Sequence, residues 1–227
     1  RHNVFDDKLL KELQLELNKL VQDKAVRVIV LKSEGLHFSA GADLSWMQRM
    51  ASFSQEENHA DALVLAHVMH TLHKSPKPTI AMIQGLAFGG GAGLAAACDI
   101  AIATEDARFC FSEVKLGLIP AVISPYVVKA IGERAAKALF MSAELFNAQR
   151  AYELGLVQHL VTEAELLEFT LNYAQSIAKN APDAIVQSKH LVDAVANKTI
   201  DEALIHYTAS QIANKRVSPE GQAGIRA

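Results

Sequence analysis

The sequence predicts an α/β core followed by a helical C-terminal region, folded as one compact unit. In the first half of the chain, short apolar runs typical of strands alternate with amphipathic helical segments, and after Ser124 the pattern is mostly helical. No linker, low-complexity run or exact repeat divides the 227 residues. A strand, a glycine loop and a helix follow one another twice, around Gly41 and around Gly90.

The N-terminal elements are a helix, a strand and a glycine loop. Leucines recur at helical spacing between Leu10 and Leu20, and Asp6 is placed to cap that helix. The stretch VRVIVLKSEG predicts a buried strand that ends in a turn. The next stretch, LHFSAGADLSWMQRM, predicts a loop that opens a short helix.

The middle of the chain repeats this alternation. Apolar residues between Leu65 and Leu72 mark a second amphipathic helix, which SPKP ends. TIAMIQG is a predicted strand, the glycine cluster after it a loop, and GLAAAC a helix; DIAIAT and RFCF are further strands. In the helical part, Gly132 separates two helices, Gly155 closes a third and Pro182 suits a first turn, while SPEGQAGIRA starts a last helix.

The composition argues against nucleic-acid binding and against a membrane-spanning protein. The net charge of −3 gives no basic field for nucleic acid, and no apolar run is long enough to span a membrane. The two cysteines, Cys98 and Cys110, do not make a disulfide framework and fit a reducing compartment, so we expect a cytoplasmic protein.

The glycine cluster from Gly89 to Gly93 has three interpretations. Gly91, Gly93 and Ala96 match the dinucleotide-binding pattern G-x-G-x-x-A, but QGLAF separates the strand from the first glycine. A purely structural turn is the second interpretation. The third is an oxyanion site, because a loop that enters a helix has free N–H groups to which glycine gives close access.

An oxyanion site needs a second donor, and HFSAGAD, residues 37–43, offers one. It is also a glycine loop that enters a helix. Asp43 is a candidate N-cap there. The cap and the donor role are compatible, because the cap orients the amides.

Three segments resemble the crotonase, or enoyl-CoA hydratase/isomerase, superfamily: HFSAGADL, IQGLAFGGGAGLAAACDIAIA and RFCFSEVKLGLIPA. The resemblance implies a spiral of strand–strand–helix repeats with a helical C-terminal trimerisation region. It gives a spiral core over residues 1–180 and a helical region over residues 181–227, and its first strands would precede Arg1. It also implies a homo-oligomer, either a trimer or a hexamer.

The resemblance also implies the site residues and the substrate, an acyl-CoA thioester. The two oxyanion amides fall on Ala42 and Gly90, and Glu113 is the catalytic acid/base. No separate cofactor is expected, because coenzyme A enters as part of the substrate. The implied substrate- and CoA-binding positions are Phe38, Ala40, Ala42, Leu44, Gly89, Gly90 and Pro120.

Gly93 departs from the family pattern, because hydratases of this family carry a first glutamate there. Three possibilities stay open: Glu113 acts alone, another residue such as Glu105, Asp106 or Ser124 contributes, or the reaction is isomerisation with one base. A CoA-thioester binder without catalysis is a further alternative.

Residues 119–128, IPAVISPYVV, depart from the commoner family pattern too. With GGGAGLAAACD they resemble the bacterial branch acting on 3-methylglutaconyl-CoA. A second carboxylate on the substrate would need a donor or cation, for which Ser124, Tyr126 and Lys129 are candidates.

Histidines crowd residues 59–73, and His67 and His70 are three apart on a predicted helix. No carboxylate or cysteine stands at a partnering spacing, so we predict no metal site.

Overall fold

The computed structural model describes residues 3–227, apart from the side chain of Leu44. The strands are β1 (Ile29–Leu31), β2 (Thr79–Ile83), β3 (Leu86–Phe88), β4 (Ile100–Thr104), β5 (Arg108–Cys110), β6 (Phe146–Asn147) and β7 (His159–Val161). The helices are α1 (Asp7–Gln22), α2 (Leu44–Met50), α3 (Gln55–Lys74), α4 (Gly90–Ala97), α5 (Ser124–Ser142), α6 (Ala148–Glu153), α7 (Leu166–Ala178), α8 (Pro182–Val195), α9 (Glu202–Val217) and α10 (Pro219–Arg226). A 3₁₀ helix spans Glu113–Leu116.

The larger sheet has four parallel strands in the order β1-β2-β4-β7. All five residues of β2 are buried, which is typical of a central parallel strand covered on both faces. The smaller sheet has the order β3-β5-β6, with β3 and β5 parallel and β6 antiparallel to β5. Single bridges, Ser39 with Ala87 and Phe5 with Ala42, connect the first glycine loop to this sheet and to the N-terminal segment.

Helix α4 lies in the middle of the core. It packs against α3 and α5, and most of its residues are buried. Because these residues are glycine, alanine and leucine, the neighbouring helices can approach its backbone closely. The first turn of α4 therefore has a fixed position relative to α3 and α5.

The C-terminal helices differ from the rest of the chain, because no residue of α8, α9 or α10 is buried. Several large apolar side chains of this region are exposed, among them Val192, Ile200, Ile212, Val217 and Ile225. Within residues 3–227, no helix combines the length and apolar character needed to cross a membrane.

Most predicted elements are confirmed. Asp6 caps α1, and Gly132 breaks α5 with a φ of 78°. Helix α8 begins at Pro182 and α10 at Pro219.

Three short strands were not predicted. The sequence analysis assigned no element to the residues of β3, and β6 and β7 lie in the half predicted to be mostly helical. Each has only two or three residues, too few to show a period of two. Pairing with distant strands determines them: His159 of β7 aligns with Ile102 of β4.

Candidate active site

The first glycine loop is held in place on both sides. The Ser39 amide donates to the Leu86 carbonyl at 2.9 Å, and the Ser39 carbonyl accepts from the Phe88 amide at 3.0 Å. Asp43 then caps α2, since its carboxylate accepts from the Trp46 amide at 3.0 Å. The predicted cap is confirmed. Among residues 3–227, no backbone carbonyl accepts from the Ala42 amide.

The second glycine loop enters α4 at Gly89, whose φ of 50° and ψ of −118° are unfavourable for residues with a side chain. No side chain of the described residues caps this helix. The Gly90 amide donates to no backbone carbonyl of residues 3–227, whereas the Gly93 amide closes the first turn onto the Gly89 carbonyl at 3.0 Å. The Gly90 N–H therefore stays available at the positive end of the helix dipole.

Phe5 joins the two loops. Its amide donates to the Gly41 carbonyl at 2.8 Å and its carbonyl accepts from the Asp43 amide at 2.9 Å, so its backbone brackets Ala42. Its ring covers Gly90, where an added Cβ would lie 3.0 Å from a ring carbon. Sequence analysis did not identify Phe5, because no local pattern distinguishes it from an ordinary core residue.

Glu113 lies beside the second loop, at the start of the 3₁₀ helix. Its Oε1 would lie 3.2 Å from a Cβ added at Gly89. Its Oε2 is buried and has no hydrogen-bond partner among the described residues. Burial raises the pKa of the Glu113 carboxyl, which brings it nearer to the range useful for proton transfer at neutral pH. Glu113 lies three residues beyond Cys110, the last residue of β5.

Gly93 has no room for a side chain. A Cβ at this position would lie 2.2 Å from Cγ2 of Ile123 and 3.0 Å from Cε of Met69. Ile123 is only 2% exposed and Met69 is fully buried. The resemblance predicted a catalytic glutamate at this position. This chain instead has an apolar contact between α3, α4 and the start of α5.

The other predicted binding residues lie at different depths. Ala40 and Ala42 are half-buried, whereas Pro120 and Gly89 are buried. Phe38 is 4% exposed and its side chain packs in the hydrophobic core, so it offers a ligand no side-chain surface in this structure. The predicted contact of the Leu44 side chain lies outside the described part of the chain.

The residues considered for a second polar role lie elsewhere. Glu105 and Asp106 are exposed in the turn between β4 and β5. The Ser124 hydroxyl donates to the Ala121 carbonyl at 2.8 Å. Tyr126 and Lys129 line a cavity of about 530 Å³ at the other end of α4, and Lys129 forms an ion pair there with Asp193.

His67 and His70 are exposed on α3. Within residues 3–227, no three or more histidine, cysteine or acidic side chains are arranged to hold a metal ion.

Comparison with known proteins shows the family of the chain. The family model for enoyl-CoA hydratase/isomerase matches residues 1–220. A crystal structure from Legionella pneumophila, assigned as an enoyl-CoA hydratase/isomerase (crotonase), has a TM-score of 0.98 and 67% identity, covering 100% of this chain and 87% of that one. An enoyl-CoA hydratase from Shewanella pealeana has a TM-score of 0.95 and 43% identity, covering 100% and 84%.

A Thermus thermophilus protein assigned as an enoyl-CoA hydratase is 37% identical over 229 residues, which cover 100% of this chain and 89% of the relative. The chain therefore belongs to the enoyl-CoA hydratase/isomerase family. It has the crotonase fold and is an enzyme of that family.

Proposed function

We propose that the protein is an enoyl-CoA hydratase that adds water across the α,β double bond of an acyl-CoA thioester. One observation carries the proposal. The carboxyl of Glu113 lies beside Gly89, where the glycine loop enters α4. Its pKa is raised, and one of its oxygens is buried with no hydrogen-bond partner in the part of the chain that the structure describes.

In the proposed reaction, the Ala42 and Gly90 amides donate to the thioester oxygen. Glu113 takes a proton from water while the water oxygen forms a bond to C3. The electron pair of the double bond moves onto the thioester oxygen as an enolate, which the two amides stabilise. Protonated Glu113 then gives its proton to C2, so the net change is the addition of one water and the carboxylate is regenerated.

We assign binding of the CoA part to the first loop and its flanks. Ala40 and Ala42 are half-buried, and their small side chains leave the backbone accessible to a ligand. Gly89 and Pro120 contribute to the walls near the thioester. For Phe38 the backbone is the accessible part, since its side chain is in the core.

The contact of Gly93 with Ile123 favours a second candidate function, Δ3,Δ2-enoyl-CoA isomerisation. This reaction needs a single base to move a proton between C2 and C4, and Glu113 has no second carboxylate opposite it at residue 93. The same oxyanion amides would stabilise the dienolate. A non-catalytic CoA-thioester binder would not require the perturbed carboxyl.

One experiment tests these candidates. The protein is incubated with crotonyl-CoA and with 3-hexenoyl-CoA, and the products are analysed by mass and ultraviolet absorbance. Hydratase activity removes conjugated absorbance and adds the mass of one water, whereas isomerase activity creates conjugation without a change in mass. Glu113→Gln should lower turnover about 10³-fold, with Glu105→Gln as the matched control at an exposed acid. Unchanged turnover by Glu113→Gln would refute the proposed base.

For the acyl group, we propose 3-methylglutaconyl-CoA as the finer candidate, supported by the IPAVISPYVV segment. Adding this thioester to the same assay tests it. If the protein hydrates 3-methylglutaconyl-CoA no better than crotonyl-CoA, the finer proposal fails and the hydratase proposal stands.

We also propose that the chain forms a homo-oligomer, a trimer or hexamer. The three C-terminal helices bury no residue within the chain and expose apolar side chains. Light scattering during size-exclusion chromatography measures the mass, and a monomer would contradict the proposal.

A further inference from the structure

Side chains of α3, α4 and α5 contact one another from the candidate site to the cavity at the other end of α4. Gly89 lies beside Glu113. Its carbonyl accepts a hydrogen bond from the Gly93 amide, and this bond closes the first turn of α4. One turn onward, Gly93 contacts Ile123 and Met69. The next turn of α4 brings Ala96 to the cavity wall.

Residues of α3 and α5 also reach from this contact to the cavity. On α5, Ile123 is followed on the same face by Tyr126 and Ala130, which line the cavity. On α3, Met69 is followed four residues later by His73, which also lines it. The cavity therefore lies about one helical turn, ~5.4 Å, beyond the contact of Gly93 with Ile123 and Met69.

The contact separates the cavity from the reaction end of α4. Ile123 and Met69 are almost fully buried, and Cγ2 of Ile123 occupies the space into which a Cβ of residue 93 would project. The cavity itself has about 530 Å³. Its walls include the apolar residues Ala96, Ala130 and Leu156, and they also carry the ion pairs Lys129–Asp193 and Lys189–Asp99. This volume is within the range of small-ligand sites.

We propose that Ile123 limits the length of the acyl chain that the enzyme accepts, and that the cavity behind it would hold the tail of a longer chain. This inference rests on the proposed function. An acyl chain whose carbonyl is at the Gly90 amide and whose C2 and C3 are beside Glu113 extends along α4 toward Gly93. Only a short chain ends before it reaches Ile123.

The test compares kcat/KM for crotonyl-CoA and 2-decenoyl-CoA, measured on the same preparation of each variant. Their ratio cancels any loss of folded protein. Wild type should strongly prefer crotonyl-CoA. Ile123→Ala removes Cγ2, so the ratio of decenoyl to crotonyl activity should rise at least about tenfold, the scale at which a few methylenes in an apolar pocket discriminate substrates.

Two further variants act as controls. Ile123→Val keeps the methyl group that contacts Gly93 and should leave the ratio near wild type. Ala130→Phe combined with Ile123→Ala fills the cavity and should cancel the gain.

The outcomes separate the two proposals. If wild type already uses both substrates equally, or if Ile123→Ala hydrates crotonyl-CoA with an unchanged ratio, Ile123 does not limit chain length and the hydratase proposal stands. If wild type neither hydrates nor isomerises any enoyl-CoA, the proposed function itself fails.

Discussion

Helices α2 and α4 both begin after a glycine loop, but only α2 has a side chain that caps its N-terminus. At α2 the Asp43 carboxylate accepts from the Trp46 amide, so the protein itself satisfies the helix. At α4 the residue before the helix is Gly89, and no described side chain caps it. The carboxyl group of Glu113 is also near the start of α4, but burial raises its pKa, and its Oε2 has no hydrogen-bond partner within residues 3–227.

We propose that this difference separates a structural helix start from one that binds the substrate. Capping α2 fixes the backbone that carries the Ala42 amide, which is a stabilising contribution. Leaving α4 uncapped forgoes about 1 kcal/mol of stability and keeps the Gly90 amide free. We expect substitutions at α4 to change catalysis and substitutions at α2 to change stability.

The largest expected effect is that of Glu113→Gln. The amide cannot accept a proton, so kcat should fall about 10³-fold, within the range for a lost general base. Enoyl-CoA turnover checks this, and the Kd for a saturated acyl-CoA should change little. A loss of affinity equal to the loss of rate would instead place Glu113 in ground-state binding.

The second effect is that of Gly90→Pro, which removes the N–H. Proline is accepted at the first position of a helix, so the fold should survive. We expect kcat to fall by about 10² to 10³, the effect of one lost oxyanion donor. Gly90→Ala is the matched control, because it adds the same Cβ against Phe5 but keeps the N–H. If both variants lose the same activity, crowding of Phe5 and not the donor is responsible.

A smaller effect, on stability, is expected at α2. Asp43→Ala removes the cap and should lower the free energy of unfolding by about 1 kcal/mol. Asp43→Asn keeps an accepting oxygen and should lose much less. Urea unfolding measures both. The comparison of the two loops fails if Asp43→Ala reduces kcat as much as Gly90→Pro does.

The smallest effect is a pH dependence of stability. Because burial raises the pKa of Glu113 in the folded protein, folding favours its protonated form, and ionisation destabilises the fold as pH rises above the ordinary value of 4.5. The stability of Glu113→Gln relative to wild type should therefore increase between pH 4 and pH 7. Melting temperatures across this range measure it, and a difference that stays constant or shrinks would contradict the raised pKa.

The sequence predicted much of the fold, because long helices have clear periodicity and marked ends. Asp6, Asp43 and Pro182 each act locally, and each was assigned correctly. The short strands β3, β6 and β7 depend on partners far along the chain, so a local pattern could not reveal them.

In the candidate site, too, local features were predicted and long-range contacts were not. The two glycine loops were recognised because glycines before a helix are a local signal. The contact between Gly93 and Ile123 joins residues 30 positions apart on different helices, and sequence alone showed only that an expected acid was missing. The role of Phe5 depends likewise on contacts with two distant loops.

The contact of Gly93 with Ile123 also constrains how such an enzyme can evolve. Any side chain gained at residue 93 collides with both Cγ2 and Cβ of Ile123, so a lineage that acquires an acid there must first lose both atoms, as a change to glycine at 123 would do. The reverse order passes through an intermediate that packs badly. Comparison of ancestral sequences should therefore find residue 123 changing before residue 93, never after it.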